Sequence, residues 1–199
     1  MQKDIIDALE QLTSKDIDYI LKYKPRAKGA QSAQHFSNMT IIKPIALNVY
    51  PEIYVDLIKR FEHDEAVRHL KSMGLRVAKY YYSTFPEKLR KSQKFTEIFS
   101  EVAKTHLKSK LVFKDKIKEN NKLRSCTIEI QDCFFCSEIA LFENLEIPYC
   151  TPVAGLYEGL YNIKSLFNRN LEPRLIQVIA HKSAESDGDI CEYKLVVID

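Results

Sequence analysis

The sequence has little of what marks several protein classes. Its 199 residues include seven Pro and five Gly, too few for a low-complexity or fibrous chain. It has no run of eighteen apolar residues, so we expect no membrane-spanning helix. The first residues alternate charged and apolar side chains, without the apolar centre of a secretory signal. Five Cys is an odd number, and with no export signal it indicates reduced thiols in a cytoplasmic protein.

Positive charge is absent from a long stretch of the chain. Residues 125–163 contain no Lys or Arg and six Asp or Glu, whereas residues 86–124 contain twelve Lys or Arg and five Asp or Glu. The basic stretch fits a solvated helix face with a polar turn. The alternative is an electrostatic patch for a membrane surface, a nucleic acid or an acidic partner. The net charge of +3 argues against a dedicated nucleic-acid binder.

The composition, 45% hydrophobic and 29% charged, is that of one globular domain with a short extension. Residues 1–38 are predicted to form a helical extension and linker, because apolar residues at helical spacing give way to a polar segment that contains Pro25 and Gly29. The domain itself is predicted to span residues 39–199.

The apolar spacing within this domain changes along the chain. Helical spacing predicts amphipathic helices from Pro51, from Asp64 to near Pro86, and from Phe95 to about Ser109. Alternation at period two then predicts a β-hairpin that turns at Asn120 and Asn121. A helix over residues 151–167 follows, and a second hairpin turns at residues 186–189. The fold class is therefore α+β, with an antiparallel sheet from two β-hairpins packed against several amphipathic helices.

Two glycines stand four residues apart in the predicted helix 151–167. Gly155 and Gly159 cost helix stability. They therefore indicate close backbone packing or a nearby ligand.

Cysteine and histidine recur in the C-terminal third. Cys133 and Cys136 form a CxxC, Cys150 precedes the glycine-bearing helix, and His181 and Cys191 lie five residues on either side of Ser186. A hairpin folded about Ser186 places His181 directly opposite Cys191, with Cβ atoms about 4.5–5.5 Å apart. Four such N and S ligands are what a structural zinc site needs. Alternatively, the thiols are small buried hydrophobes and the histidine is a core residue.

Other uses of these thiols have less support. The two aromatic residues inside CFFC, and its position outside a βαβ pattern, argue against a thioredoxin-like redox motif. Cys126 alternates with Ile128 and Ile130 on one strand face and is predicted to lie in the core.

Two segments resemble the C-terminal half of the 4-vinyl reductase domain family. They are IPYCTPVAGLYEGLYNIKSLF and LIQVIAHKSAESDGDICEYKLVV, and the loop IEIQDCFFC before them is also similar. The family pattern is a Cys that opens a helix with small residues, a strand ligand, a Gly-Asp turn, a Cys and an aromatic residue. The matching positions here are Cys150, Gly155, Gly159, His181, Gly188, Asp189, Cys191 and Tyr193.

The resemblance implies a fold of the nitric-oxide signalling and Golgi transport ligand-binding type, shared with the core subunits of the TRAPP vesicle-tethering complex. It also implies helix-mediated dimers and a zinc ion beside an apolar pocket. This sequence departs from the family pattern, because His181 replaces the usual strand Cys and Val178 replaces the usual Glu. The implied zinc ligands are Cys150, His181 and Cys191, with Cys136 or Cys133 as the fourth.

Two functions follow as expectations. The first is a small-molecule sensor or carrier with a structural zinc site, whose apolar or aromatic ligand is lined by Phe134, Phe135, Tyr149, Tyr157 and Tyr161. The alternative is a homodimeric scaffold, similar to the TRAPP subunits, with a signalling or tethering partner and peripheral contact with a membrane. The sequence has no Gly-rich dinucleotide fingerprint and no nucleophile–base spacing, so we expect a binding or scaffold protein more than an enzyme.

Overall fold

The structure is a computed structural model that describes residues 49–84, 94–104, 109–131, 133, 136, 145–167, 175–184 and 190–198. The predicted extension over residues 1–38 lies outside these ranges. The described residues form four helices and four strands, which confirms the predicted α+β class. None of the described helices is long and apolar enough to cross a membrane.

Three helices precede the sheet, as the apolar spacing predicts. Helix α1 spans Tyr50–Arg60 with Pro in its first turn, where the missing N–H costs nothing. Helix α2 spans His63–Thr84, with Asp64 and Glu65 favourably placed near its positive N-terminal end. Helix α3 spans Phe95–Val102. Its predicted extension towards Ser109 includes residues 105–108, which lie outside the described part of the chain.

The first hairpin forms as predicted. Strand β1 spans Lys110–Glu119 and strand β2 spans Lys122–Gln131. The backbone φ angles of Asn120 and Asn121 are +50° and +60°, which suit the two-residue turns whose twist matches that of paired strands. The register shifts after Lys114, beside Asp115, another residue with positive φ. This irregularity bends the exposed end of β1 away from a flat strand edge.

The second hairpin completes the sheet. Helix α4 spans Thr151–Phe167, strand β3 spans Leu175–Lys182 and strand β4 spans Ile190–Ile198. The strand order is β1-β2-β4-β3 and every neighbouring pair is antiparallel. The predicted turn at residues 186–189 lies outside the described ranges. The two hairpins meet where β4 pairs with β2, and Cys191 lies opposite Ile130 in this pairing.

The core lies between the sheet and helix α4, with α2 on the other side of that helix. Inward side chains of β2 and β4 alternate as predicted, and Cys126 is buried among them. Glu158 on α4 accepts hydrogen bonds from Lys71 Nζ at 2.6 Å and from the Val178 backbone N–H at 2.8 Å. One carboxylate thus connects α4 to α2 and to β3. The side chain of Asn162 adds two bonds to the backbone of Ile176, at 2.8 and 2.9 Å.

Helices α2 and α4 cross at glycine positions on both sides. A Cβ on Gly74 would lie 2.6 Å from the Leu156 backbone nitrogen, and one on Gly155 would lie 2.9 Å from the Lys71 carbonyl carbon. Of the two explanations for Gly155 and Gly159, close helix packing is therefore the one that the structure provides.

Candidate metal centre

Four buried cysteines come together from three separate parts of the chain. Cys133 and Cys136 follow β2, and the Cys136 N–H donates to the Cys133 carbonyl at 2.9 Å, so that this short segment turns back on itself. Cys150 lies immediately before α4, and its carbonyl accepts the Val153 N–H at 2.9 Å. Cys191 is the second residue of β4 and points inward. No side chain among the four is more than 2% exposed.

Three of the four sulfur atoms are close enough to share one ion. The Sγ atoms of Cys133, Cys136 and Cys191 all lie within 4.8 Å of one another. The thiol of Cys150 forms hydrogen bonds with Cys136 and Cys191. In a tetrahedron with Zn–S bonds of about 2.3 Å, the sulfurs lie about 3.8 Å apart. Cys150 lies outside this group of three, so tetrahedral coordination would require its Sγ to move inward as well as a contraction of the other three sulfurs.

The four thiols share their protons unequally. Hydrogen bonds with neighbouring thiols, Cys133 first, raise the pKa of Cys136, and burial adds to this effect. The pKa of Cys191 is also raised, by hydrogen bonds with Cys133 and Cys150 and by burial, although the bond with Cys136 lowers it. Burial by itself raises the pKa of Cys150, but hydrogen bonds from Cys136, Cys191 and Ser183 outweigh it and lower that pKa. Cys150 is thus the thiol of the cluster that loses its proton most readily, and a divalent cation would replace the thiol protons of all four.

Two further donors from the end of β3 point at the sulfurs. The Ser183 hydroxyl donates to Cys150 Sγ at 3.3 Å, and the Ala184 backbone N–H donates to Cys191 Sγ at 3.4 Å. The Ser183 oxygen also accepts the Cys150 N–H at 3.1 Å. Donors of this kind stabilise metal-bound thiolates and orient them.

Aromatic residues of α1 hold the segment that leads into Cys150. The hydroxyl of Tyr50 donates to the Tyr149 carbonyl at 2.8 Å, and the hydroxyl of Tyr54 donates to the Ile147 carbonyl. The rings of Tyr50 and Tyr149 meet edge to face at 4.5 Å. Burial raises the pKa of Tyr54 to about 12, so this donor stays protonated at neutral pH. Helix α1 thereby holds the backbone of Ile147 and Tyr149.

His181 does not join the cysteines. The register of β3 and β4 shifts between Ala180 and Lys182, so Ala180 pairs with Tyr193 and Lys182 pairs with Glu192. The expectation that His181 lies directly opposite Cys191 is therefore wrong in register. His181 is exposed, whereas Cys191 is fully buried. Because side chains alternate along β3, with Val178 buried and Ile179 exposed, the imidazole lies on the solvent side of the sheet.

The predicted pocket residues occupy different surroundings. Phe134 and Phe135 lie outside the described ranges. Tyr149 and Tyr157 are 1% and 0% exposed, and the Tyr157 ring packs on Phe99 at 4.6 Å. Tyr161 is partly buried at the edge of the core. Whether any of them contacts a small molecule stays a prediction.

Neither sequence-based comparison identifies a relative. No protein-family model matches the chain, and no curated protein matches it either. Membership of the 4-vinyl reductase family therefore stays a prediction.

A search of solved structures does find similar folds. One is the crystal structure of a trafficking protein particle complex subunit 3 from Naegleria fowleri, covalently bound to palmitic acid. Its TM-score against this chain is 0.59 at 15% sequence identity, and the match covers 80% of this chain and 97% of that one. At this identity the similarity is one of fold. The chain has an α+β fold similar to that of a trafficking protein particle complex subunit.

Proposed function

We propose that this protein is a cytoplasmic, non-catalytic scaffold that works as a homodimer and binds a further partner protein. The observation that carries the proposal is the fold, because the match spans 97% of a subunit of a multiprotein trafficking complex. The helices support it as well. One face of α2 packs on α4 through Gly74 and Ala78, while Val77 and Tyr80 on another face are 44% and 52% exposed. Exposed apolar side chains on a helix suit an interface with a second copy.

The dimer is tested by a charge placed on that helix face. We expect the wild-type full chain to sediment as a dimer at micromolar concentration, and Val77→Glu to weaken the dimer at least tenfold by burying a charge. Ile117→Glu is the matched control, since Ile117 is 62% exposed on β1 and should leave the dimer intact. A monomeric wild-type chain, or equal dimers in all three proteins, would contradict the proposed interface.

A second proposal is favoured by the cysteine cluster: Cys133, Cys136, Cys150 and Cys191 hold one structural zinc ion. Thiolates are preferred zinc ligands, and four of them leave no open position for water, as in structural sites. The ion would join the segment after β2 to the start of α4 and to β4. Because these three parts are distant in the sequence, such a site would hold them together and stiffen the scaffold. The small-molecule sensor remains the alternative use of such a site.

Measuring the metal content of variants distinguishes a site of four cysteines from one that includes His181. We expect about one zinc per chain by elemental analysis of protein purified under reducing conditions, and its loss in Cys133→Ser and Cys150→Ser. Cys126→Ser is the matched control, because Cys126 is also buried but lies outside the cluster. His181→Ala should keep its metal. Metal-free wild-type protein that also fails to take up added zinc would overturn the site, and metal loss in His181→Ala would restore the histidine ligand.

A further inference from the structure

Two buried tyrosine hydroxyls beside the cysteine cluster make no hydrogen bond of ordinary geometry. Among the described residues, the hydroxyls of Tyr157 and Tyr193 are the buried side-chain oxygens or nitrogens left unpaired. Both residues are 0% exposed. An unsatisfied buried hydroxyl costs about 1–3 kcal/mol, and nearly all such groups in folded proteins find a partner. Two of them side by side point to a partner that the bare polypeptide does not supply.

Both rings belong to elements that also carry cluster cysteines. Tyr193 follows Cys191 by two residues on β4, so the two side chains share the inward face of the strand. Tyr157 lies two turns into α4, the helix that Cys150 precedes. The two rings meet edge to face at 6.4 Å. The hydroxyls therefore enter the core next to the sulfurs.

The electrostatics indicate the same placement. Burial raises the pKa of Tyr157, and the neighbouring Cys133 and Cys191 add to that rise. Burial also raises the pKa of Tyr193, and all four cluster cysteines add to it. The Tyr193 hydroxyl lies beside the Cys150 thiol and contributes to its lowered pKa, although it forms no hydrogen bond of ordinary geometry. Both hydroxyls thus lie within the field of the sulfurs.

A neutral thiol is a weak acceptor, whereas a thiolate is a charged one. Hydrogen bonds to an ionised acceptor are roughly twice as strong as those between neutral groups. A divalent cation held by four thiolates leaves a net charge of −2 in the core. The thiolate sulfurs would then accept hydrogen bonds from the two tyrosine hydroxyls. The net negative charge of the site would in turn be stabilised by these two donors, in addition to Ser183 and Ala184.

We propose that Tyr157 and Tyr193 are positioning residues of the metal centre, whose hydroxyls donate to its thiolates. Tyr193 donates to Cys150, and Tyr157 donates at the edge formed by Cys133 and Cys191. The inference rests on the proposed metal site. It adds that the two hydroxyls stabilise the negative charge of four thiolates around a bound cation. This role explains why the hydroxyls are unpaired in the metal-free chain.

The test is Tyr157→Phe and Tyr193→Phe in the full chain loaded with cobalt(II), a spectroscopic substitute for zinc. Each change removes one hydroxyl and keeps the ring. We expect cobalt affinity, measured by competition with a chelator, to fall about 10–100-fold in each variant. The thiolate-to-cobalt charge-transfer band should move to lower energy, since a thiolate without its donor gives up an electron more easily. The stability of the metal-free protein should stay unchanged or rise, because an unsatisfied group is removed.

Tyr50→Phe is the matched control. Its hydroxyl is also buried, but it already donates to the Tyr149 carbonyl. This variant should lose stability with and without metal and keep the position of the cobalt band. Wild-type affinity and an unshifted band in both Tyr157→Phe and Tyr193→Phe would overturn the inference while leaving the metal site in place. Failure of the wild-type chain to bind cobalt or zinc would overturn the metal site and the inference together.

Discussion

Chelation of the metal is expected to lower the unfolding temperature of the full chain by about 10 °C or more. Structural zinc sites in small peptides contribute about 10–16 kcal/mol of apparent binding free energy, which is available to folding. In a chain of this length, 1 kcal/mol corresponds to about 2–4 °C. Even a third of the peptide value is therefore a large shift. The measurement is thermal unfolding followed by circular dichroism, with reductant, before and after a chelator and after zinc is returned.

Two cysteine variants serve as controls for this effect. Cys150→Ser should unfold at a low temperature that the chelator does not change, since its site is already broken. Cys126→Ser buries a hydroxyl in the same core and should lose only about 1–2 kcal/mol, while keeping the full response to the chelator. If the wild-type transition is insensitive to the chelator, or if both variants respond alike, the four-cysteine site does not support the fold.

The elements of this fold could be predicted from local patterns. The change of apolar spacing from helical to alternating located the first hairpin, and Asn120 and Asn121 marked its turn. The predicted helix over residues 151–167 has the bounds that the structure gives it. These features depend on neighbours within a few residues, which the sequence lists directly.

The junction between the hairpins could not be predicted in the same way. The pairing of β2 with β4 joins residues about sixty positions apart, such as Ile130 and Cys191. Alternation shows which face of a strand is buried but not which strand lies beside it. The register of β3 against β4 was hidden for a related reason. A hairpin symmetric about Ser186 was assumed, whereas Ala180 pairs with Tyr193, so that His181 and Cys191 lie on opposite faces of the sheet.

The kind of site was predicted better than the residues that form it. The spacing named five ligand candidates. The structure groups Cys133, Cys136 and Cys191, places Cys150 beside two of them, and leaves the histidine outside. Tyr157 was assigned to a pocket, and Tyr193 only to the aromatic position of the family pattern. Their unpaired hydroxyls depend on three-dimensional packing. The one signal in the sequence was the spacing of Cys191 and Tyr193, two residues apart on one strand.

Gly155→Ala is expected to destabilise the fold by about 2–4 kcal/mol, although alanine is the better helix former. Helix propensity alone would favour alanine by about 1 kcal/mol. The new methyl group, however, would lie far inside van der Waals contact of the Lys71 carbonyl oxygen, and 2.9 Å from the carbonyl carbon. Backbone atoms of α2 cannot rotate away, so the two helices must separate. Separation would also strain the hydrogen bonds that Glu158 makes to Lys71 and Val178. Urea unfolding of the full chain measures the loss.

Gly159→Ala provides the contrast, because it meets side chains. Its methyl group would lie 2.7 Å from the Ala78 Cβ and 3.0 Å from a Leu75 methyl. We expect a smaller loss, about 1–2 kcal/mol. The double variant Ala78→Gly with Gly159→Ala moves one methyl across the interface and should recover part of that loss, whereas Ala78→Gly should not rescue Gly155→Ala. Equal losses at both glycines, or no rescue in the double variant, would mean that something other than the close approach of α2 and α4 selects glycine at these positions.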